Sequence, residues 1–488
     1  MGTVEVAPEV PGLANTHSER LSAMDTSFLA MEDGRAHMHI GSVSIYDAAA
    51  LRGDTGVDFE RVVSFTEAQL QKFPRFRQRL EWVPGFARPV WVDDDRFNLR
   101  FHIRHTALPP PGDDRQLKRL AGRILSQEFD RAKPLWENWI VDGLSGDRFA
   151  LIFKMHHCMA DGIAGVAAGN LLAGPDPHYE PPPVADWVPR PAPDGPHLVL
   201  GELRHRAGAP IRLLQTARSG PDDAGSSTAG AASTASGVRG LLGNLFQPAS
   251  PTPLNVDVGP HRRFDWTRLP FAEVRRIGKA AEGTVNDVVL AVATGALRNF
   301  LTRQGENVED LDLRAVVPVS VRRDTERAAP GNRVSEVIAH LPVAEADPWN
   351  RLLAVVDMTR GLKRSGQSGA GDLMGQVLEL LPTQLLAPLF RRASRSSVAN
   401  LIVTNVPGPR VPVYLLGARQ LETYPVVPIL GKQVLGIALM SYDDGLFWGF
   451  NADWDALPGL HGLVEGVAVG FEELAAAAPE AAPGTPDA

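Results

Sequence analysis

Cysteine is nearly absent from this chain of 488 residues, which contains only Cys158. A single thiol excludes an intramolecular disulfide, a CxxC redox pair and a thiolate-rich zinc or iron–sulfur site within one chain. Such a low cysteine content is typical of a reducing cytosol. The amino terminus also lacks a basic stretch followed by an apolar one, so we expect no secretory signal and a cytoplasmic location.

An excess of positive charge and a long apolar run are also missing. The 49 Lys and Arg residues are outnumbered by 57 Asp and Glu, giving a formal net charge of -8. No global positive field is available to hold a polyphosphate, so we expect no nucleic-acid partner. The apolar stretch from Leu380 to Phe390 has 11 residues and two prolines. It is too short to span a bilayer, which needs about 20 residues.

What is present is the composition of a globular protein, with 44% hydrophobic and 22% charged residues. Three segments interrupt it: a proline-rich connector over 175–196, a stretch of small and polar residues over 219–237, and a similar tail over 475–488. The prolines of the connector remove backbone donors and block regular helix, so we expect it to be extended. The other two segments bury too little apolar surface to offset their ordering entropy. They predict an N-terminal domain over 16–190, a linker over 191–250 with an amphipathic helix from Leu198 to Arg218, and a C-terminal domain over 251–478.

Strand-like and helix-like patterns alternate in both halves. We predict strands from His39 and from Arg148 and helices from Phe59 and Arg115 in the first half. The second half has two predicted helices, FAEVRRIGKAAEG and NDVVLAVATGALRNFLTRQG, and five predicted strands: LRAVVPVSV, VSEVIAHLPV, ANLIVTNV, QVLGIALMSY and LFWGFNAD. The predicted fold class is α/β with mixed sheets.

Residues able to do chemistry are concentrated in one segment, which follows the predicted buried strand from Arg148: His156-His157-Cys158-Met159-Ala160-Asp161-Gly162. Successive side chains on a strand point to opposite faces, so His156 and His157 cannot both enter one cavity. We therefore expect one imidazole to act and the other to support it. Asp161 is predicted to begin a helix after a tight turn. The carboxyl end of a strand is a common place for an active site in α/β proteins.

Other interpretations of this segment stay open. The two histidines could simply satisfy local hydrogen bonds at a strand end. Adjacent histidines do not converge on one ion, and the sequence has no HExxH motif and no second ligand cluster, so we expect no metal. GxSxG, P-loop and GxGxxG motifs are also missing. Cys158 could be an acyl-carrying nucleophile, although an inert buried thiol is the commoner role of a lone cysteine.

HHxxxDG stands within an ordered set of further motifs: RLSAMD from Arg20, KPLWE from Lys133, PLN and GPHRRF between Pro253 and Phe264, VNDVVLA from Val285, PVSVR from Pro318, GNRVS from Gly331, and TNVPGP from Thr404. The set resembles the bacterial wax ester synthase/acyl-CoA:diacylglycerol acyltransferase family, within the superfamily of CoA-dependent acyltransferases that use HHxxxDG. HHxxxDG alone would also admit condensation domains of peptide synthetases. The resemblance extends from Arg20 to about Asp455.

The resemblance implies two chloramphenicol-acetyltransferase-like domains with an active-site tunnel between them. It implies transfer of a long-chain acyl group from acyl-CoA, a co-substrate, to diacylglycerol or a long-chain alcohol, with no cofactor. His157 would be the general base, supported by His156. The superfamily assigns the aspartate of the motif, here Asp161, an architectural role in which it bonds an arginine.

A tetrahedral oxyanion would also need hydrogen-bond donors. Asn286 is the first candidate, although the start of a helix also suits it as a cap. Thr404 and Asn405 are second candidates, and Asn405 also suits a turn. We predict that Gly162, Asp287, Thr404 and Asn405 contact the substrates.

Water-insoluble products imply contact with a membrane or lipid droplet, so we expect peripheral association with the inner membrane or with droplets. Two segments could mediate it, the predicted amphipathic helix from Leu198 to Arg218 and the segment from Val377 to Arg395. Packing against the protein's own domains is the alternative for both. Two other functions stay open: an acyltransferase using a carrier-bound donor, and a noncatalytic lipid-droplet protein. The pattern carries no signal for oligomeric state.

Overall fold

The structure is a computed structural model that describes residues 16–54, 56–86, 88–162, 173–207, 248–320, 334–364 and 397–479. Within these residues the strands are β1 Glu19–Arg20, β2 His39–Asp47, β3 Arg52–Gly53, β4 Gly56–Val57, β5 Gln78–Trp82, β6 Pro89–Asp93, β7 Ile103–Ala107, β8 Trp136–Leu144, β9 Arg148–His156, β10 Arg262–Pro270, β11 Leu313–Ser320, β12 Val334–Leu341, β13 Leu401–Pro407, β14 Tyr414–Leu415, β15 Ala418–Val426, β16 Leu435–Tyr442 and β17 Gly445–Asp453.

The α-helices of the described residues are α1 Ala23–Met31, α2 Phe59–Gln69, α3 Leu99–His102, α4 Asp114–Leu125, α5 Gly195–Ala207, α6 Phe271–Ala280, α7 Val285–Arg303, α8 Pro348–Arg364 and α9 Leu460–Ala477. Short 3₁₀ helices cover Ala49–Leu51, Leu70–Lys72, Pro74–Arg77 and His157–Gly162. Local side chains explain several starts. Ser22 caps α1 by accepting a hydrogen bond from the backbone of Asp25, and α4 and α7 begin with reciprocal capping boxes.

Two six-stranded mixed sheets form the framework. The first has the order β14-β15-β2-β9-β8-β7, and the second has the order β10-β17-β16-β13-β11-β12. Pairing is antiparallel except for β7 with β8 in the first sheet and for β13 with both β11 and β16 in the second. The predicted α/β class with mixed sheets is confirmed. The strands β14 and β15 come from the C-terminal half yet complete the first sheet, so chain order and sheet membership differ there.

The two halves meet across a shared apolar cluster. Helix α4 packs against β10, where a Cβ at Gly122 would lie 2.7 Å from the carbonyl oxygen of Arg262. Aromatic residues of β10 and β15 fill the same cluster, and the ring of Trp266 stacks on that of Tyr424 with centroids 4.8 Å apart. Aromatic pairs of this kind bury large apolar areas. The cluster therefore joins the sheet that carries the histidine motif to the second sheet.

Most predicted elements are present. The strands predicted from His39 and Arg148 begin at those residues, and the helix predicted from Phe59 begins there too. Within the proline-rich connector, 175–194 contains neither helix nor strand, as predicted. One correction concerns the tail: α9 continues through Ala477, past the predicted start of the tail at Ala475, because alanine favours helix and the preceding turn is anchored by buried Leu474. The 219–237 loop lies outside the described residues.

Candidate active site

The histidine motif lies at the carboxyl end of β9, a central strand of the first sheet. His156 is the last residue of β9 and pairs with His39, the first residue of β2. A 3₁₀ helix follows at once over His157–Gly162, and the backbone N–H of His157 donates to the carbonyl of Met38 at 2.8 Å. The helical turn thus begins at His157, earlier than the predicted start at Asp161.

His156 is the supporting histidine. Its side chain is buried, and its Nδ1 accepts a hydrogen bond of 3.1 Å from the backbone N–H of Cys158. An Nδ1 that accepts leaves the ring proton on Nε2. That Nε2 lies 3.3 Å from Oε2 of Glu32. The imidazole of His156 therefore links the 3₁₀ turn that carries His157 to the buried carboxylate of Glu32 at the end of α1.

Glu32, at the carboxyl end of α1, is the hub of this support. Its Oε2 is 2.7 Å from Nη2 of Arg131, and its Oε1 accepts the backbone N–H of Met38 at 3.2 Å. Burial alone would raise the pKa of Glu32. The contacts with His156 and with Arg131 outweigh burial and hold the pKa of Glu32 well below its usual range. The carboxylate is ionised at neutral pH.

His157 is placed differently. It is half-buried, and its ring lies against the ring of Phe28 on α1, with centroids 4.1 Å apart. Desolvation is the main cause that lowers the pKa of His157 to about 4. Its buried Nδ1 has no hydrogen-bond partner among the described residues. At neutral pH this imidazole is uncharged, which is the state a general base requires.

Cys158 has the properties of an inert thiol. It is fully buried, and burial raises its pKa well above the usual range, with the charges of Asp25 and Glu32 adding to the effect. A reactive cysteine needs a lowered pKa and access to solvent or substrate. The alternative of an acyl-carrying nucleophile therefore loses support.

Asp161 and Gly162 close the 3₁₀ helix. The side chain of Asp161 is not described, and the predicted helix over 163–172 lies outside the described residues. The architectural role of Asp161 and the substrate contact of Gly162 stay predictions.

The other predicted site residues lie in the C-terminal half. Asn286 is half-buried in the first turn of α7. Asp287 next to it is buried and accepts hydrogen bonds from the backbone and hydroxyl of Thr284 and from the hydroxyl of Thr359 on α8, at 2.7 to 2.8 Å. Asp287 therefore caps α7 and links it to α8. Its contact with substrate stays a prediction.

Thr404 and Asn405 lie on the parallel strand β13, and both are half-buried. Among the described residues, no hydrogen bond joins either of them or Asn286 to His157. The histidine pair is brought together by one strand, whereas the predicted oxyanion donors stand on the other sheet and its helices. Their role stays a prediction.

Sequence reasoning missed three residues of the site: Glu32, Phe28 and Arg131. Each lies far from His156 and His157 along the chain, and none belongs to a motif with a diagnostic spacing. Glu32 follows the RLSAMD motif by only a few residues and lies at the end of α1, the helix that this motif begins. An acidic residue at that position is the one signal in the sequence that could have suggested a role for Glu32. Its contact with His156 depends on the packing of α1 beside the end of β9.

Two six-stranded mixed sheets and an HHxxxDG turn at a strand end define a two-domain acyltransferase of the chloramphenicol-acetyltransferase-like fold. A trichothecene 15-O-acetyltransferase from Fusarium sporotrichioides shares this fold, with a TM-score of 0.60 and 13% identity over 96% of this chain and 99% of that one. A wax ester synthase/diacylglycerol acyltransferase from Marinobacter aquaeolei is more similar, with a TM-score of 0.67 and 25% identity over 94% and 99%.

Sequence comparison identifies the family. The wax ester synthase/diacylglycerol acyltransferase catalytic domain matches residues 21–289, and the C-terminal domain of the same family matches residues 330–475. A protein of Mycobacterium tuberculosis strain H37Rv, described as a probable diacylglycerol O-acyltransferase, is 33% identical over 455 residues, covering 92% of this chain and 94% of its own. The chain belongs to the wax ester synthase/diacylglycerol acyltransferase family, and it is an acyltransferase.

Proposed function

We propose that the enzyme transfers a long-chain fatty acyl group from acyl-CoA to the hydroxyl of diacylglycerol, of a long-chain alcohol, or of both. The observation that carries the proposal is the neutral His157 at the end of β9, held in place by buried His156 and Glu32. Membership of the family supports the substrate classes, since the relatives are named for diacylglycerol or wax ester synthesis.

In the proposed mechanism His157 removes the hydroxyl proton as the alcohol oxygen forms a bond to the thioester carbonyl carbon. The resulting tetrahedral intermediate then collapses, the carbon–sulfur bond breaks, and the imidazolium returns its proton to the CoA thiolate. The products are the ester and free CoA. A positioned base of this kind contributes about 10²- to 10⁴-fold to the rate. Asn286, Thr404 and Asn405 remain the proposed donors to the oxyanion.

The proposed mechanism assigns separate tasks to the two imidazoles. His157 works in the apolar surroundings of Phe28, where its neutral form is favoured. His156 binds the backbone of Cys158 on one side and faces Glu32 on the other, so it holds the 3₁₀ turn against α1. His156 and Glu32 are therefore positioning residues, and the chemical step is assigned to His157 alone.

We further propose peripheral contact with a membrane or droplet surface on the cytoplasmic side. No helix among the described residues is long and apolar enough to cross a bilayer. One face of α5 packs on the protein, because Leu198 belongs to a buried cluster, whereas Leu203 on the same helix is about half exposed and the last turn is basic. An exposed apolar side chain beside basic residues suits an anionic interface. The remainder of the predicted segment to Arg218, and the segment from Val377 to Arg395, lie outside the described residues.

The test uses purified full-length protein, palmitoyl-CoA, and either diacylglycerol or hexadecanol. Wild type should form ester and free CoA in equal amounts, and His157→Ala should lose at least about 10²-fold in rate. His105→Ala, a change at an exposed histidine on β7, is the matched control and should retain activity. If wild type forms neither ester nor free CoA with any acceptor, acyl-CoA is not the donor and a carrier-bound donor or a binding role is favoured.

A further inference from the structure

We infer that Glu32, His37 and His39 form a binding site for a divalent transition-metal ion such as Zn²⁺, next to the histidine motif. Sequence spacing alone did not reveal this group. His37 and His39 stand at the start of β2, and Glu32 comes from the end of α1, so packing of the helix against the strand brings the three together.

The geometry centres on one carboxylate oxygen. Oε1 of Glu32 lies 3.9 Å from Nδ1 of His37 and 3.9 Å from Nε2 of His39. Each of the three residues offers one ligand atom that lies within 4.8 Å of the other two. Ligands of a tetrahedral Zn²⁺ with bonds of about 2.0–2.1 Å stand about 3.4 Å apart. Small rotations of the side chains would close this difference. Glu128, whose Oε1 lies 3.7 Å from the same Nδ1 of His37, borders the site on the solvent side.

Both imidazole nitrogens that face the carboxylate lack a hydrogen-bond partner in the described part of the chain. Nδ1 of His37 and Nε2 of His39 are buried without one, and the two side chains are each about 3% exposed. Buried polar atoms are rarely left without a partner, so these two call for an explanation. For His39 the other ring nitrogen, Nδ1, faces the carbonyl of Leu125 at 3.4 Å. That contact places the ring proton on Nδ1 and directs the lone pair of Nε2 at Glu32, the arrangement that metal-bound histidines use.

The donor atoms select the kind of ion. Within the described residues, the nitrogens that face Glu32 make no hydrogen bond, so their lone pairs are available to an ion. Two imidazoles and one carboxylate suit Zn²⁺ or Co²⁺ better than Mg²⁺ or Ca²⁺.

The site is joined to the turn that carries His157. Oε1 of Glu32 faces the proposed ion, while Oε2 of the same carboxylate lies 3.3 Å from Nε2 of His156. His156 in turn accepts the backbone N–H of Cys158. An ion bound here would fasten α1 to β2 and would hold the carboxylate that orients His156. The proposed ion is structural, and the acyl transfer does not pass through it.

The experiment measures binding of Co²⁺ to the full-length protein after chelator treatment and its competition by Zn²⁺. Wild type should bind one equivalent and develop the visible d–d bands of a four-coordinate ion. His37→Phe keeps the aromatic volume that stacks on His39, with ring centroids 5.1 Å apart, and should weaken binding at least tenfold. His39→Phe should do the same. His105→Phe is the matched control, because His105 also pairs with a carboxylate and stacks on an aromatic ring, and it should bind like wild type.

Circular dichroism checks that each variant folds. If both variants at the site fold poorly, the NMR spectrum of Co²⁺-loaded wild type is the test instead. It should show two paramagnetically shifted ring N–H signals, one from each coordinated imidazole. Wild type that binds no Co²⁺ at one equivalent, or His37→Phe that binds as tightly as wild type, overturns the inference. Ester formation is not the readout, so failure of the proposed function would leave this result unaffected.

Discussion

Acidification should leave the catalytic efficiency of this enzyme almost unchanged over the range in which an ordinary histidine base loses its activity. The reason is that desolvation of the His157 ring lowers its pKa to about 4, from an ordinary value of about 6.5. The base must be neutral to accept the hydroxyl proton. Its activity is therefore present above the folded-state pKa and is lost only as the pH falls through it.

The size of the effect follows from the two pKa values. At pH about 5.5 a histidine of pKa about 4 is about 97% neutral, whereas one of pKa about 6.5 is about 9% neutral. The two cases differ about tenfold in rate. The assay is kcat/KM for release of CoA, measured from pH about 8 to pH about 4.5, because this parameter reports the ionisation of the free enzyme.

Phe28 supplies the matched variants. Its ring excludes water from one face of His157, so Phe28→Ser should raise the pKa of His157 and move the acidic limb of the profile toward pH 6.5. Phe28→Leu keeps an apolar side chain and should leave the limb near its wild-type position. An acidic limb near pH 6.5 in wild type, or the same limb in both variants, would refute the desolvation argument.

Stability must be followed over the same pH range, because the same shift acts on folding. A histidine whose folded-state pKa is lowered binds its proton more readily in the unfolded chain. Between pH about 6.5 and about 4 the unfolded state therefore gains protons that the folded state does not, and the free energy of unfolding decreases as the pH falls. Denaturant unfolding at each pH separates loss of fold from protonation of the base.

Three further predictions concern residues around the site and the sheets. Cys158→Ala should retain wild-type activity, and the native thiol should resist thiol reagents until the protein unfolds; loss of activity with intact fold would revive the nucleophile. Gly449→Ala should lower the free energy of unfolding in urea by about 1–3 kcal/mol, because a Cβ there would overlap the carbonyl of Pro425; an unchanged midpoint would contradict the close approach. Asp287→Asn should cost about 1–2 kcal/mol by weakening the cap of α7 and the bond from Thr359; a changed KM with unchanged stability would instead support substrate contact.

The local sequence pattern was sufficient to predict the strands and helices around the site. Strands β2 and β9 begin where the sequence predicts them. The almost continuously apolar run of β9 is typical of a strand that is buried on both faces. Helix α7 starts at Val285 because the Thr284 and Asp287 side chains cap it reciprocally. His156 and His157 have separate surroundings because His156 is the last residue of β9 and His157 is the first residue of the 3₁₀ helix.

Other features depend on contacts between distant segments. Strand β15 joins the first sheet, although the strands that precede it in the chain, from β10 to β13, belong to the second sheet. No local pattern specifies which of the two sheets an amphipathic strand joins. The junction of the two halves likewise depends on Gly122 allowing α4 to approach β10 closely. In both cases the local sequence is compatible with more than one packing partner, and contacts between distant segments determine which partner is used.

The sequence by itself determined the fold class, the family and the segment that carries the histidine pair, because strand periodicity, helix caps and a motif of fixed spacing are local properties of the chain. Only the tertiary structure decided which surroundings each imidazole has. A pKa depends on desolvation and on charges a few ångströms away, and the groups that supply them here, Phe28, Glu32 and Arg131, come from segments remote in the chain.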